Sequence, residues 1–265
     1  EVLRTHIQKC KKATNKPFGV NVPMLYPDIE KIIDIIVEEG VKIVFTSAGN
    51  PETWTPYLKE KEIIVVHVVS SVKFALKAAH AGVDAIVCEG FEAGGHNGRE
   101  ETTTFTLIPM VQQKVQIPLI AAGGIASGRG MLAAMVLGAD AVQIGSRFAA
   151  TKESSAHQNF KTSIVNAKDG DTHLTLKELA PVRLMKNKFY RELQALYQQN
   201  PSKEQLKEFL GRARAKKGMF EGDLENGELE IGQIAGFIDE IKSAKEVLNE
   251  IIKEFNLVKS LIHRD

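Results

Sequence analysis

The 265-residue chain has only two cysteines, Cys10 and Cys88. That is too few for a disulfide framework, and their separation gives no metal-ligand spacing. Charge of one sign is missing as well: the formal net charge is +1, and a general nucleic-acid binder needs a clear basic excess to neutralise phosphates. No apolar run approaches the roughly 20 residues of a membrane span, and no secretory signal heads the sequence. The expectation is a protein of a reducing, cytoplasmic setting, with no nucleic-acid and no membrane partner.

What is present is ordinary for a soluble globular protein, at 43% hydrophobic and 25% charged residues. The length suits one large domain, or one with a small appendage. The chain opens on Glu1 rather than Met, and EVLRTHIQKCKKAT already reads as the tail of a helix. The native start is therefore expected to lie upstream.

Apolar runs of strand length recur and end in small or polar residues. They are KPFGVNVPM (16–24), VKIVFTSAG (41–49), EIIVVHVVS (62–70), VDAIVCEG (83–90), IPLIAAGG (117–124) and DAVQIGS (140–146). Amphipathic stretches lie between them, and Gly40, Gly82 and Gly138 stand where a helix would stop. Near-continuous Val/Ile strands imply a parallel sheet covered on both faces. Repeated βα units fit an open doubly wound sheet or a TIM (β/α)8 barrel. Six units are visible where a barrel has eight. The barrel is the favoured reading, with its first two βα units upstream of this chain.

The expected division is a barrel over 1–150, a small helical insert without further strands over 151–230, and a C-terminal helix over 231–265 that packs back on the barrel.

In such a fold ligands bind at the carboxyl ends of the strands, and the unusual residues collect there. Asn21 follows the first visible strand, and Glu89, Gly94, Gly95 and His96 follow the fourth. Gly123 and Gly124 follow the fifth, and Gln143, Gly145 and Ser146 the sixth. Paired glycines on two adjacent strands, with a hydroxyl, suit a phosphate; tight βα turns are the plainer alternative, and the agreement of the two adjacent motifs favours the phosphate. Gly128-x-Gly130-x-x-Ala133 imitates a dinucleotide fingerprint, but the next strand ends in Gly145-Ser146-Arg147, with no acidic residue for a ribose. That stretch reads as helix start and packing.

His96 is the one histidine of seven in a glycine-rich loop at a strand end. A neutral imidazole can give or take a proton near neutral pH, although a lone histidine is more often structural. His67 reads as a packed or lining residue, and His157 and His173 as surface. Glu89 would bind a polar cofactor edge or cap a loop. Strand alternation turns Cys88 away from Glu89, towards the helices.

EGFEAGGHNG and IPLIAAGGIASGRGMLAAMVLGADAVQIGSRF, with GVNVPM, TSAG and GQIAG, resemble the FMN-dependent family of nitronate monooxygenases (2-nitropropane dioxygenases) and enoyl-acyl-carrier-protein reductase II. The resemblance spans nearly the whole chain and implies a TIM barrel with a helical insert. It also implies roles. Gly123, Gly124, Gly145 and Ser146 would hold the FMN phosphate. Asn21, Glu89, Gln143 and the Gly94-Gly95 backbone would line the ribityl chain and ring, and His96 would be the acid or base beside the flavin. Two further strands with a glycine-rich FMN loop, present in the family, are absent here.

AATKESSAHQNFKTSIVNAKDGDT and VRLMKNKF look more like the reductase branch. That branch implies NAD(P)H as hydride donor and an enoyl substrate on acyl carrier protein in fatty acid synthesis; the monooxygenase branch implies a small-molecule nitronate and oxygen. A non-redox phosphate-binding barrel is the remaining alternative, weakened by the lack of an obvious lysine or paired carboxylates at strand ends. A homodimer is the expected assembly. RLMKNKFYR (183–191) and GRARAKKG (211–218) are candidate docking patches for an acidic carrier, or simply solvated helix faces.

Overall fold

The computed structural model describes residues 1–262. Helix α1 (Val2–Ala13) leads to β1 (Gly19–Pro23), followed by α2 (Ile29–Glu38), β2 (Ile43–Ser47), α3 (Thr55–Glu60), β3 (Ile64–Val69), α4 (Val72–His80) and β4 (Ala85–Glu89). A two-residue strand, β5 (Gly95–His96), precedes α5 (Thr104–Gln112). The alternation resumes with β6 (Leu119–Ala122), α6 (Gly128–Val136), β7 (Ala141–Gln143) and the short α7 (Ser146–Ala149). Then come α8 (Gln158–Val165), β8 (Thr172–Thr175), β9 (Val182–Met185), α9 (Lys188–Tyr197), α10 (Lys203–Leu210), α11 (Arg214–Met219) and α12 (Ala244–Ile262).

The six strands β1-β2-β3-β4-β6-β7 pair in parallel in that order and form a curled half-barrel of the TIM type. Among the described residues β1 and β7 each leave one edge unpaired. Alternation divides each strand between two surfaces. Val44, Val65, Ile86, Cys88, Leu119 and Ala121 face outwards and join Ile33, Ile36, Leu58, Ala78, Leu107 and Ile108 of the helices in the main core. Val66, Ala85, Val87 and Ala122 line the concave face with Phe45 and Ile120. Gly40, Gly82 and Gly138 have positive φ directly after α2, α4 and α6, the left-handed stop that their positions suggested.

The insert differs from the helical reading. Within 152–230, β8 and β9 pair antiparallel, and β9 also pairs with β5, forming a small second sheet in the order β5-β9-β8. Two features hid these strands. Each has four residues, and β9 is buried at every position, so no alternation marks it; its other partner, β5, lies far upstream in the chain. The last segment is also only partly helix. Residues 233–237 form a 3-10 turn, Lys242 bridges to Thr151, and α12 starts at Ala244. Residues 263–265 of the expected C-terminal helix lie outside the described residues.

Helix α12 does return to the half-barrel, and it does so at the Gly128 segment. The Glu254 carboxylate accepts Gly128 N–H at 2.7 Å and Arg129 N–H at 3.3 Å, capping α6 from the neighbouring helix. A carboxylate therefore stands where a dinucleotide fingerprint would hold phosphate. A Cβ on Gly128 would fall 2.2 Å from the Phe255 nitrogen and 2.4 Å from the Ile251 oxygen. Gly128→Ala is expected to lower stability by about 1–3 kcal/mol through this backbone clash, read as a lower urea midpoint with an unchanged slope.

Candidate functional site

The carboxyl ends of the parallel strands open into a cavity of about 950 Å³, at the upper end of the size range of small-molecule sites. Asn21, Glu89, Gly94, Gly95, His96 and Gln143 all line it. Asn21 is an exposed residue in the middle of β1, Gln143 is the exposed last residue of β7, and Glu89 is the half-buried last residue of β4. Alternation along β4 places Glu89 on the concave side with Ala85 and Val87. Cys88 points the other way, fully buried among the helices, with its thiol pushed up to about 12 by burial. It is core, as the alternation implied.

Gly123, Gly124, Gly145 and Ser146 are not on that cavity wall. They form a neighbouring cluster at the ends of β6 and β7, one residue beyond Ala122 and two beyond Gln143. Gly123 and Gly124 have φ of +93° and +68°, a turn that glycine adopts without strain. A Cβ at Gly145 would meet nothing within 4 Å, so its backbone faces open space. The Ser146 hydroxyl accepts Gly232 N–H at 3.1 Å, which leaves its own proton to donate.

Glu92 lies against Gly124, but its carboxylate is held by Thr104 N–H at 2.9 Å and the Thr104 hydroxyl at 3.0 Å. The donor set fits a phosphate beside a polar chain, and the adjoining cavity has room and mixed polarity for a flavin ring.

The loop that carries His96 is held from several sides. Gly95 and His96 pair with Arg183 and Val182 of β9. Arg183 is buried and donates from Nε and Nη2 to Phe91 O at 3.1 and 3.0 Å, with its guanidinium 4.4 Å from the Phe91 ring centroid. Asn97 donates to Ala93 O at 2.8 Å and Gly95 O at 3.2 Å. Gly94 passes so close to residues 231–232 that a Cβ would sit 2.5 Å from the Gly232 nitrogen. His96 itself stays exposed at the cavity. A rigid loop presenting a free imidazole is what acid–base work requires.

Other histidines have other duties. His67 is buried 2.8 Å from the Thr46 hydroxyl, and burial pushes it down to about 4, so its ring is neutral. His173 is exposed on β8. His157 is half-buried rather than surface: its ring accepts Asn159 N–H at 3.1 Å and caps α8.

Glu230, which the sequence reading did not single out, also lines the cavity. Its segment adds to β9 through the Leu184–Glu230 bridge. Only the alternation in LEI before Gly232 hinted at a strand there. The two basic stretches are less free than their composition implied. Arg183 is buried, Arg214 donates to the carbonyls of Leu210, Asn226 and Phe209, and Lys216 and Lys217 pair with Glu221 and Asp223 at 3.1 Å. Lys186, Arg191 and Arg212 remain exposed.

Parallel βα units with a polar cavity and a presented histidine at the strand ends define an α/β-barrel enzyme site. The nitronate monooxygenase family model matches residues 26–254. The solved structure of FabK from Thermotoga maritima is 42% identical, with a TM-score of 0.92 over 98% of this chain and 82% of that one. A probable nitronate monooxygenase of Staphylococcus saprophyticus is 33% identical over 231 residues, which are 80% of this chain and 65% of that protein. A 5-hydroxy-7a-methyl-1-oxo-octahydro-1H-indene-4-carboxyl-CoA dehydrogenase of Rhodococcus jostii is 28% identical over 95% of this chain and 81% of its own length. The chain belongs to the nitronate monooxygenase family, a family of flavin-dependent oxidoreductases.

Glu89 yields a stability test. Burial raises its carboxyl to about 7, against an ordinary value of 4.5. The folded state therefore holds a proton that the unfolded state releases, and this contribution is lost as pH rises from about 4.5 through 7. Glu89→Gln removes that loss. Relative to the parent, the variant is expected to gain on the order of 3 kcal/mol at most between pH 5 and pH 8, read by urea unfolding at the two pH values.

Proposed function

We propose that this chain is the greater part of an FMN-dependent oxidoreductase that reduces enoyl thioesters carried on acyl carrier protein, with NAD(P)H as hydride donor. The observation that carries the substrate branch is the 42% identity to FabK over 98% of the chain. FabK is an enoyl-acyl-carrier-protein reductase II. FMN bound at this site would supply two-electron redox chemistry between donor and substrate.

The chain's own residues would do the rest. Gly123, Gly124, Gly145 and Ser146 would receive the phosphate, and Asn21, Glu89, Gln143 and the Gly94-Gly95 backbone would line the ribityl chain and ring. His96 would deliver the proton to the substrate carbon next to the thioester carbonyl. Lys186, Arg191 and Arg212 are the exposed cations that an acidic carrier would meet.

The second reading keeps the pocket and changes the substrate to an alkyl nitronate oxidised with oxygen. It is favoured by the family model and by the Staphylococcus saprophyticus relative. In that chemistry His96 would act as base.

The discriminating experiment is an anaerobic spectrum of the purified protein with FMN. For the reductase, flavin absorbance bleaches on adding NADPH and returns on adding a crotonyl thioester. Bleaching by an alkyl nitronate but not by NADPH would move the assignment to the second reading, and failure to take FMN at all would defeat both. His96→Ala is expected to keep FMN and lose roughly 100- to 10,000-fold in turnover.

A further inference from the structure

A carboxyl group faces the back of the loop that presents His96. The segment 228–232 runs along β9, with Met185 N–H donating to Leu229 O at 2.9 Å and Glu230 opposite Leu184. On β9 the next residue, Arg183, pairs with Gly95, and Val182 pairs with His96. Glu230, Gly95 and His96 thus lie in sequence along one backbone register. The approach is close: a Cβ on Gly95 would fall 2.7 Å from Glu230 Oε2. Both Glu230 and His96 line the same cavity.

From this register we infer that Glu230 acts on His96 through its charge, steadying the protonated imidazole from the same cavity wall without a direct hydrogen bond. The inference rests on the flavin oxidoreductase reading for its kinetic consequences only.

The electrostatics agree. A half-buried carboxyl with no side-chain hydrogen bond among the described residues is costly as structure alone. Burial raises Glu230, and the neighbouring His96 lowers it again. The other groups facing the pair are few. Glu228, two residues back, is buried and itself raised to about 7. Glu89 stands at the end of β4, and Lys77, Arg99 and Glu100 lie at the cavity rim. Arg183 on β9 turns its guanidinium to Phe91 O instead.

The test has two arms. In the first, kcat and KM of the flavin-loaded full chain are followed across pH. Glu230→Gln is expected to lose roughly ten- to hundredfold in kcat, with KM nearly unchanged and one limb of the pH profile displaced; Glu230→Asp recovers part of the loss. Parental kcat and an unmoved profile in Glu230→Gln would overturn the inference.

The second arm needs no flavin. The Glu230 carboxyl carbon is titrated by NMR in the parent and in His96→Ala. Its midpoint is expected to rise when His96 is removed; an unchanged midpoint overturns the pair even if turnover is normal. A protein that never takes flavin but shows the linked titration keeps the pair and loses only the redox reading.

Discussion

Everything at the candidate site hangs on one short backbone pairing, that of Gly95-His96 with Val182-Arg183. Without it the glycine-rich loop after β4 would have no regular hydrogen-bonding partner, and a chain so rich in glycine would sample many conformations. With it the loop becomes the edge of a small sheet, and the insert that supplies β9 becomes part of the pocket wall. Arg183 reinforces the arrangement. Its buried guanidinium meets the Phe91 carbonyl and ring together, a planar fork that lysine could not reproduce.

The same pairing explains the density of glycine there. Three backbones converge, from residues 90–95, 230–232 and the end of β7, and they approach more closely than side chains allow. The Ser146 hydroxyl and Gly232 N–H join two of them at 3.1 Å, and the Glu92 carbonyl accepts Gln233 N–H at 2.9 Å to bring in the third. Close approach of backbone to backbone and to a flat ligand are compatible uses of one glycine. The loop is shaped from behind by the protein and left open in front.

Glu89, Glu100 and Glu230 line this opening with Lys77 and Arg99, and Glu228 lies buried two residues before Glu230. Burial pushes Glu89 and Glu228 to about 7 and raises Glu230. Glu89, near neutrality on the cavity wall, is poised to hold a proton rather than a charge, as suits a site that must move protons. Burial lowers His67, which also lines the cavity, to about 4 and keeps its ring neutral, whereas His96 is exposed there.

The half-barrel was legible in sequence because each strand-forming run is largely apolar and three of the intervening helices, α2, α4 and α6, stop at a glycine with positive φ, Gly40, Gly82 and Gly138. His96 stood out by its setting, and Glu89 by strand alternation from Cys88. These are local signals, written in neighbouring residues. By itself the sequence determined the six βα units, the end of the sheet at which polar residues gather, and the family. Only the tertiary structure decided that β8 and β9 exist, that β9 pairs with Gly95-His96, that Glu254 caps α6, and that Glu230 reaches the same cavity as the histidine. Each of those depends on a partner distant in the chain, and no local pattern records which distant backbone will supply the missing hydrogen bonds.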